Sequence, residues 1–74
     1  MSEGGQQTTG TQDTSFNLVS VLYHALEGAS TYEQYVRDAE QAGDQELASF
    51  FREAITSSRQ VADRAKQLLK QRLG

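Results

Sequence analysis

The chain has 74 residues, no cysteine, no proline and a formal charge of −3. That length holds one small domain, the missing thiols exclude a disulfide framework or a thiolate metal site, and the negative balance argues against non-specific nucleic-acid binding. No run approaches the roughly 18 apolar residues of a membrane span, and Met1 is followed by Ser2, Glu3 and Gly4 rather than by a basic start and an apolar stretch, so a soluble, cytoplasmic protein is expected.

Residues 1–13 are mostly Gly, Gln, Thr and Ser, with no large apolar side chain after Met1. Such a segment cannot bury enough surface to offset its ordering entropy, and a disordered polar tail is predicted. A helix over 15–42 follows, with Asp13, Thr14 and Ser15 as candidate caps. Leu18, Leu22, Ala25, Ala29, Tyr32, Val36 and Ala39 alternate spacings of four and three, which places them on one face. Val19 and Leu26 widen this stripe on one side, Val21 and Tyr35 on the other. Gly28 costs about 1 kcal/mol against alanine in a helix interior; beside Ala25 and Ala29 it is expected to permit close helix approach.

The periodicity stops at Ala42-Gly43-Asp44. Gly43 suits the left-handed conformation that ends a helix, and Asp44 is a good cap for the next. A turn at 43–44 forces the helices to be antiparallel neighbours. The second helix, predicted over 45–72, carries Leu47, Phe51, Ala54, Ser58, Val61, Ala65 and Leu68 at the same spacing. A second row, Ile55, Ala62 and Leu69, runs beside it, with Phe50 at the head and Leu73 at the end.

A stripe two rows wide covers more of each helix than one partner can shield, and a lone hairpin of this size seldom holds a core without disulfides or metal. The expected fold is therefore all-α: a two-helix antiparallel hairpin dimerising to a four-helix bundle. Leu18, Leu22, Leu26, Tyr32, Val36, Phe51, Ile55, Val61, Leu68 and Leu69 are the candidate self-association residues. Charge suggests the arrangement. Residues 33–53 hold six acids against two bases, whereas residues 54–74 hold five bases against Asp63. Head-to-tail hairpins would bring the acidic turn end of one copy to the basic open end of the other. A different helical protein is the alternative partner.

Tyr32-Glu33-Gln34-Tyr35-Val36-Arg37-Asp38-Ala39-Glu40 and Asp44-Gln45-Glu46-Leu47-Ala48-Ser49-Phe50-Phe51-Arg52-Glu53 resemble the end of the first helix and the start of the second in rubrerythrin-like members of the ferritin-like superfamily. The resemblance runs from Leu22 to Leu69, about two-thirds of the chain. It implies half of a four-helix bundle and, in intact members, a di-iron centre built from a first-helix glutamate and a second-helix Glu-x-x-His pair. Here the corresponding stretch is Ser57, Ser58, Arg59, Gln60 and Val61, and Gly28 falls at the first-helix ligand position beside Glu27. Serine and valine supply neither the carboxylate nor the imidazole that iron requires, so oxidase or peroxidase activity does not follow.

Other chemistry is sparse. His24 and Glu27 share a helix face, and folding about Gly43 puts His24 roughly level with Asp63. Doubled by a second chain, His24, Glu27 and Asp63 are candidate ligands for iron or zinc; His24 bordering the core, bonded to Asp63 or water, is the plainer alternative. Tyr23, Tyr32 and Tyr35 at helical spacing read as packing residues with hydroxyls at the rim. Ser57 and Ser58 lack a histidine to activate them. The basic run 59–72 complements the helix dipole and has no interleaved aromatics for stacking on single-stranded nucleic acid. No catalytic residue and no cofactor is assigned, and the expected function is a non-enzymatic, self-associating structural or interaction module.

Overall fold

A computed structural model describes residues 13–73; the polar tail predicted over 1–13 lies, except for Asp13, outside the described residues, as does Gly74. The described residues form two α-helices, α1 (Thr14–Gln41) and α2 (Gln45–Leu73). They lie antiparallel: Glu33 pairs with Arg59 and Glu40 with Arg52, so numbers rise along one helix as they fall along the other. Both ranges agree with the predicted ones to within one residue. No helix among the described residues is long and apolar enough to cross a membrane.

Matching caps start the two helices. The Asp13 carboxylate accepts from the Phe16 amide, and the Asp44 carboxylate from the Leu47 amide, each at 3.0 Å. Each satisfies an amide that the first helical turn leaves without an intrahelical partner. Between them α1 ends in a Schellman turn: the Asp44 amide donates to the Ala39 carbonyl at 2.9 Å and the Gly43 amide to the Glu40 carbonyl at 3.0 Å. Gly43 takes φ +74°, the left-handed region in which a Cβ is penalised.

The seam between the helices is built from small residues. Its buried side chains are Ala29 and Ala39 of α1, and Ala48, Ile55, Ala62 and Ala65 of α2. Phe51 and Ser58, half-buried, complete the α2 row. This corrects the predicted packing of α2. Leu47 and Val61, expected in the core row, are 40% and 46% exposed, whereas Ile55 and Ala62 of the secondary row are buried. Phe51, Ser58 and Ala65 stay in the seam, which keeps the four–three spacing as 48-51-55-58-62-65, with Ala48, Ile55 and Ala62 in place of Leu47, Ala54 and Val61. Alanine decides the exchange. Ala48 and Ala62 let the backbones approach where Leu47 and Val61 would hold them apart.

Gly28 also differs from expectation. A Cβ placed there would lie 3.9 Å from the Ser58 hydroxyl and 3.9 Å from the Tyr32 ring, ordinary van der Waals contact. Close approach of the helices does not require glycine at this position, and α1 runs through it without a break.

Candidate functional site

The alanine seam divides the hairpin into two unlike faces. On one, which we call the groove face, apolar grooves run along the length of the pair. At the open end Leu18 and Val21 stand against Val61, Ala65 and Leu68. In the middle Ala25 and His24 line the groove with Ser57 and Ser58, so the expectation that no histidine comes near these serines is not met. Near the turn, Tyr35, Ala39 and Ala42 meet Leu47 and Phe51, and the Tyr35 and Phe51 ring centroids are 5.5 Å apart. Tyr32 and Phe50 extend this aromatic group, at 5.8 Å from Tyr35 and Phe51 respectively.

The opposite face is polar over its turn half. Arg59 Nη2 donates to Glu33 Oε2 at 2.9 Å, and Arg52 pairs with Glu40. These pairs flank Val36, Ile55 and Thr56. The faces separate because Glu33 and Tyr35, or Arg59 and Val61, are two residues apart and so point about 200° apart around their helices. Toward the open end, the outer side of α1 exposes Phe16, Val19, Tyr23 and Leu26; Val19 and Leu26 continue the row of Glu33 and Glu40 at seven-residue steps.

The ten candidate self-association residues therefore do not form one surface. Leu18, Phe51, Val61 and Leu68 line the groove face. Val36 lies on the ion-paired face, and Ile55 is already buried in the seam at 9% exposure. Tyr32, Leu22 and Leu69 are half-buried, and Leu26 is 46% exposed. Val21, Tyr35 and Leu47 belong to the groove face although they were not among the ten. Their signal is present in the sequence, since Val21 and Tyr35 widen the α1 stripe; periodicity does not fix the position of the seam.

His24 Nδ1 and Glu27 Oε1 are 4.0 Å apart with both side chains well exposed, and the Tyr23 hydroxyl reaches Glu27 Oε2 at 3.5 Å. Asp63 does not join them. His24 shares the groove with Val61, and Asp63, two residues on, is turned to the other side of α2. The predicted axial level was sound, because Gly28 faces Ser58 as the fold about Gly43 requires; the rotation about the helix axis was not. Among the described residues no three His, Cys, Asp or Glu side chains are grouped to hold a metal ion. The middle of the groove is lined by Ser20, Val21, His24, Ala25, Ser57, Ser58 and Val61, a set with one imidazole and no carboxylate, which does not fit a di-iron group.

Comparison with protein-family models, curated proteins and solved structures finds no match for the chain.

Proposed function

We propose that the chain is a non-enzymatic helical hairpin whose task is self-association: half of a helical bundle, serving as a structural or interaction module. One observation carries the reading. Among the described residues the only large apolar side chain that is buried is Ile55, while ten are exposed, from Leu47 at 40% to Leu73 at 75%. Buried alanines contribute little transfer free energy, because apolar stabilisation scales at about 25 cal/mol per Å² of surface removed from water. Two helices of this size need a further source of stability, and burying these exposed apolar side chains against another helical surface would supply it.

The resemblance to a ferritin-like half-bundle supports the same reading, taken as a likeness of architecture without the metal chemistry. Sedimentation equilibrium of the full chain from low to high micromolar concentration tests it. The expected result is a reversible dimer or larger assembly whose melting temperature rises with protein concentration. A folded, cooperatively melting monomer across that range overturns it. Stoichiometric iron or zinc in protein purified without chelator would instead favour a metal-binding ferritin-like protein.

A further inference from the structure

Building on the self-association reading, we infer that a second copy docks on the groove face, head to tail, so that the turn end of one protomer, with Asp38 and Asp44, lies opposite the open end of the other, with Arg64 and Arg72. Three observations select this face and this direction.

The groove face carries apolar side chains along its length, with unpaired charges only toward its two ends, whereas the opposite face is crossed over its turn half by the Glu33–Arg59 and Glu40–Arg52 pairs. Stacking a hairpin there would strip water from two ion pairs, a penalty that their mutual attraction does not reliably offset. Small residues at the centre of the groove face, Ala25, Ser57 and Ser58, allow the two layers to come close.

Charge sets the direction. On the opposite face Glu33 and Arg59, and Glu40 and Arg52, are paired within the hairpin. Among the described residues, neither Asp38 nor Asp44 at the turn end of the groove face is ion-paired within the chain, and neither is Arg64 or Arg72 at its open end. Acids at one end and bases at the other are self-complementary under a twofold axis perpendicular to the helices. Stacked turn to turn, the same surfaces would oppose like charges.

The spacing agrees with such an axis. Gly28 and Ser58 face each other near mid-length. Asp44 and Arg72 lie equally far from Ser58 along α2, fourteen residues on either side, or about 21 Å. Asp38 lies about 15 Å from Gly28 by the same rise, between the levels of Arg64 and Arg72. A rotation about the Gly28–Ser58 level thus lays the acidic turn end of one copy over the basic open end of the other, with Asp44 level with Arg72 and Asp38 about 6 Å beyond the level of Arg64, and the residues at the axis level meet their own counterparts.

Charge reversal with rescue tests the inference, using the full chain at low salt and analytical ultracentrifugation. Asp38→Arg and Arg64→Asp, each alone, are expected to weaken dimerisation by about tenfold, and an equimolar mixture to restore affinity close to wild type. Single variants that bind like wild type would overturn the head-to-tail direction. A matched pair of apolar probes reports the face independently of charge. Val61→Asp in the groove should dissociate the dimer, while Val19→Asp, at a site of nearly equal exposure (46% and 48%), should leave it intact. The reverse outcome overturns the choice of face while sparing the self-association reading; a monomeric wild-type chain overturns both.

Discussion

Glu33 and Arg59, twenty-six positions apart in sequence, meet across one face of the hairpin with Arg59 Nη2 2.9 Å from Glu33 Oε2. Seven residues nearer the turn on each helix, Glu40 and Arg52 repeat the contact. The Glu33 and Arg59 side chains are 46% and 62% exposed, so water screens their attraction and the pair contributes less than about 1 kcal/mol. Its larger consequence is to make this face polar. Arg59→Ala is expected to lower stability by no more than about 1 kcal/mol in chemical denaturation, with the loss shrinking in molar salt. A loss of several kcal/mol that persists in salt would show that the arginine stem, not the charge pair, closes the seam.

The two glycines within the hairpin should respond to alanine in opposite directions. At Gly28 a methyl group meets the Ser58 hydroxyl and the Tyr32 ring at ordinary contact distance, so Gly28→Ala removes backbone freedom from the unfolded chain without strain. It should stabilise the fold by about 0.5–1 kcal/mol. At Gly43 nothing stands within 4 Å of an added Cβ, yet φ is +74°, and Gly43→Ala should destabilise by about 1–2 kcal/mol through backbone strain alone. Thermal melts of the two variants at one protein concentration check the signs. Destabilisation by Gly28→Ala would mean that the helices cross more tightly there than Ser58 and Tyr32 indicate.

Helix ends were legible in the sequence because they depend on local chemistry. Asp13 and Asp44 carry amide-accepting carboxylates, and Gly43 tolerates positive φ, each without reference to anything distant. Axial register was legible too, since a short turn leaves the antiparallel helices little freedom to slide. Rotation about the helix axes was not. Rows 47-54-61-68 and 48-55-62-69 have the same period, and the sequence favours the first by bulk. The seam prefers the second, because Ala48 and Ala62 let the backbones draw together. That one rotation misplaced Ile55 as an interface residue and set His24 and Asp63 on the same side.

The alanine seam makes a prediction about size rather than polarity. Ala48 is fully buried and Ala62 is 1% exposed, leaving no room for added carbons between the backbones. Ala62→Leu should destabilise by about 1–3 kcal/mol despite being more hydrophobic, since overpacking forces side chains off their rotamers or pushes the helices apart. Ala54→Leu, at a half-buried position on the neighbouring row, should be close to neutral. Urea denaturation of both variants distinguishes a close-packed seam from a loose one, in which Ala62→Leu would stabilise.

Ile55 and Leu26 separate what the hairpin buries alone from what it leaves exposed. Both are branched aliphatic residues, but Ile55 is 9% exposed and Leu26 is 46% exposed on the outer part of α1. Truncating Ile55 removes apolar contacts and opens a void beside the alanines, with an expected cost of about 2–4 kcal/mol. With so thin a seam, that loss should unfold much of the population at low protein concentration. Leu26→Ala removes a side chain that already faces water and should cost under about 0.5 kcal/mol, leaving both helicity and the sedimentation coefficient unchanged if assembly uses the groove face. A Leu26→Ala variant that sediments more slowly than wild type while keeping its circular dichroism would instead place Leu26 in an interface, and would bring the Phe16–Val19–Tyr23–Leu26 stripe into the assembly.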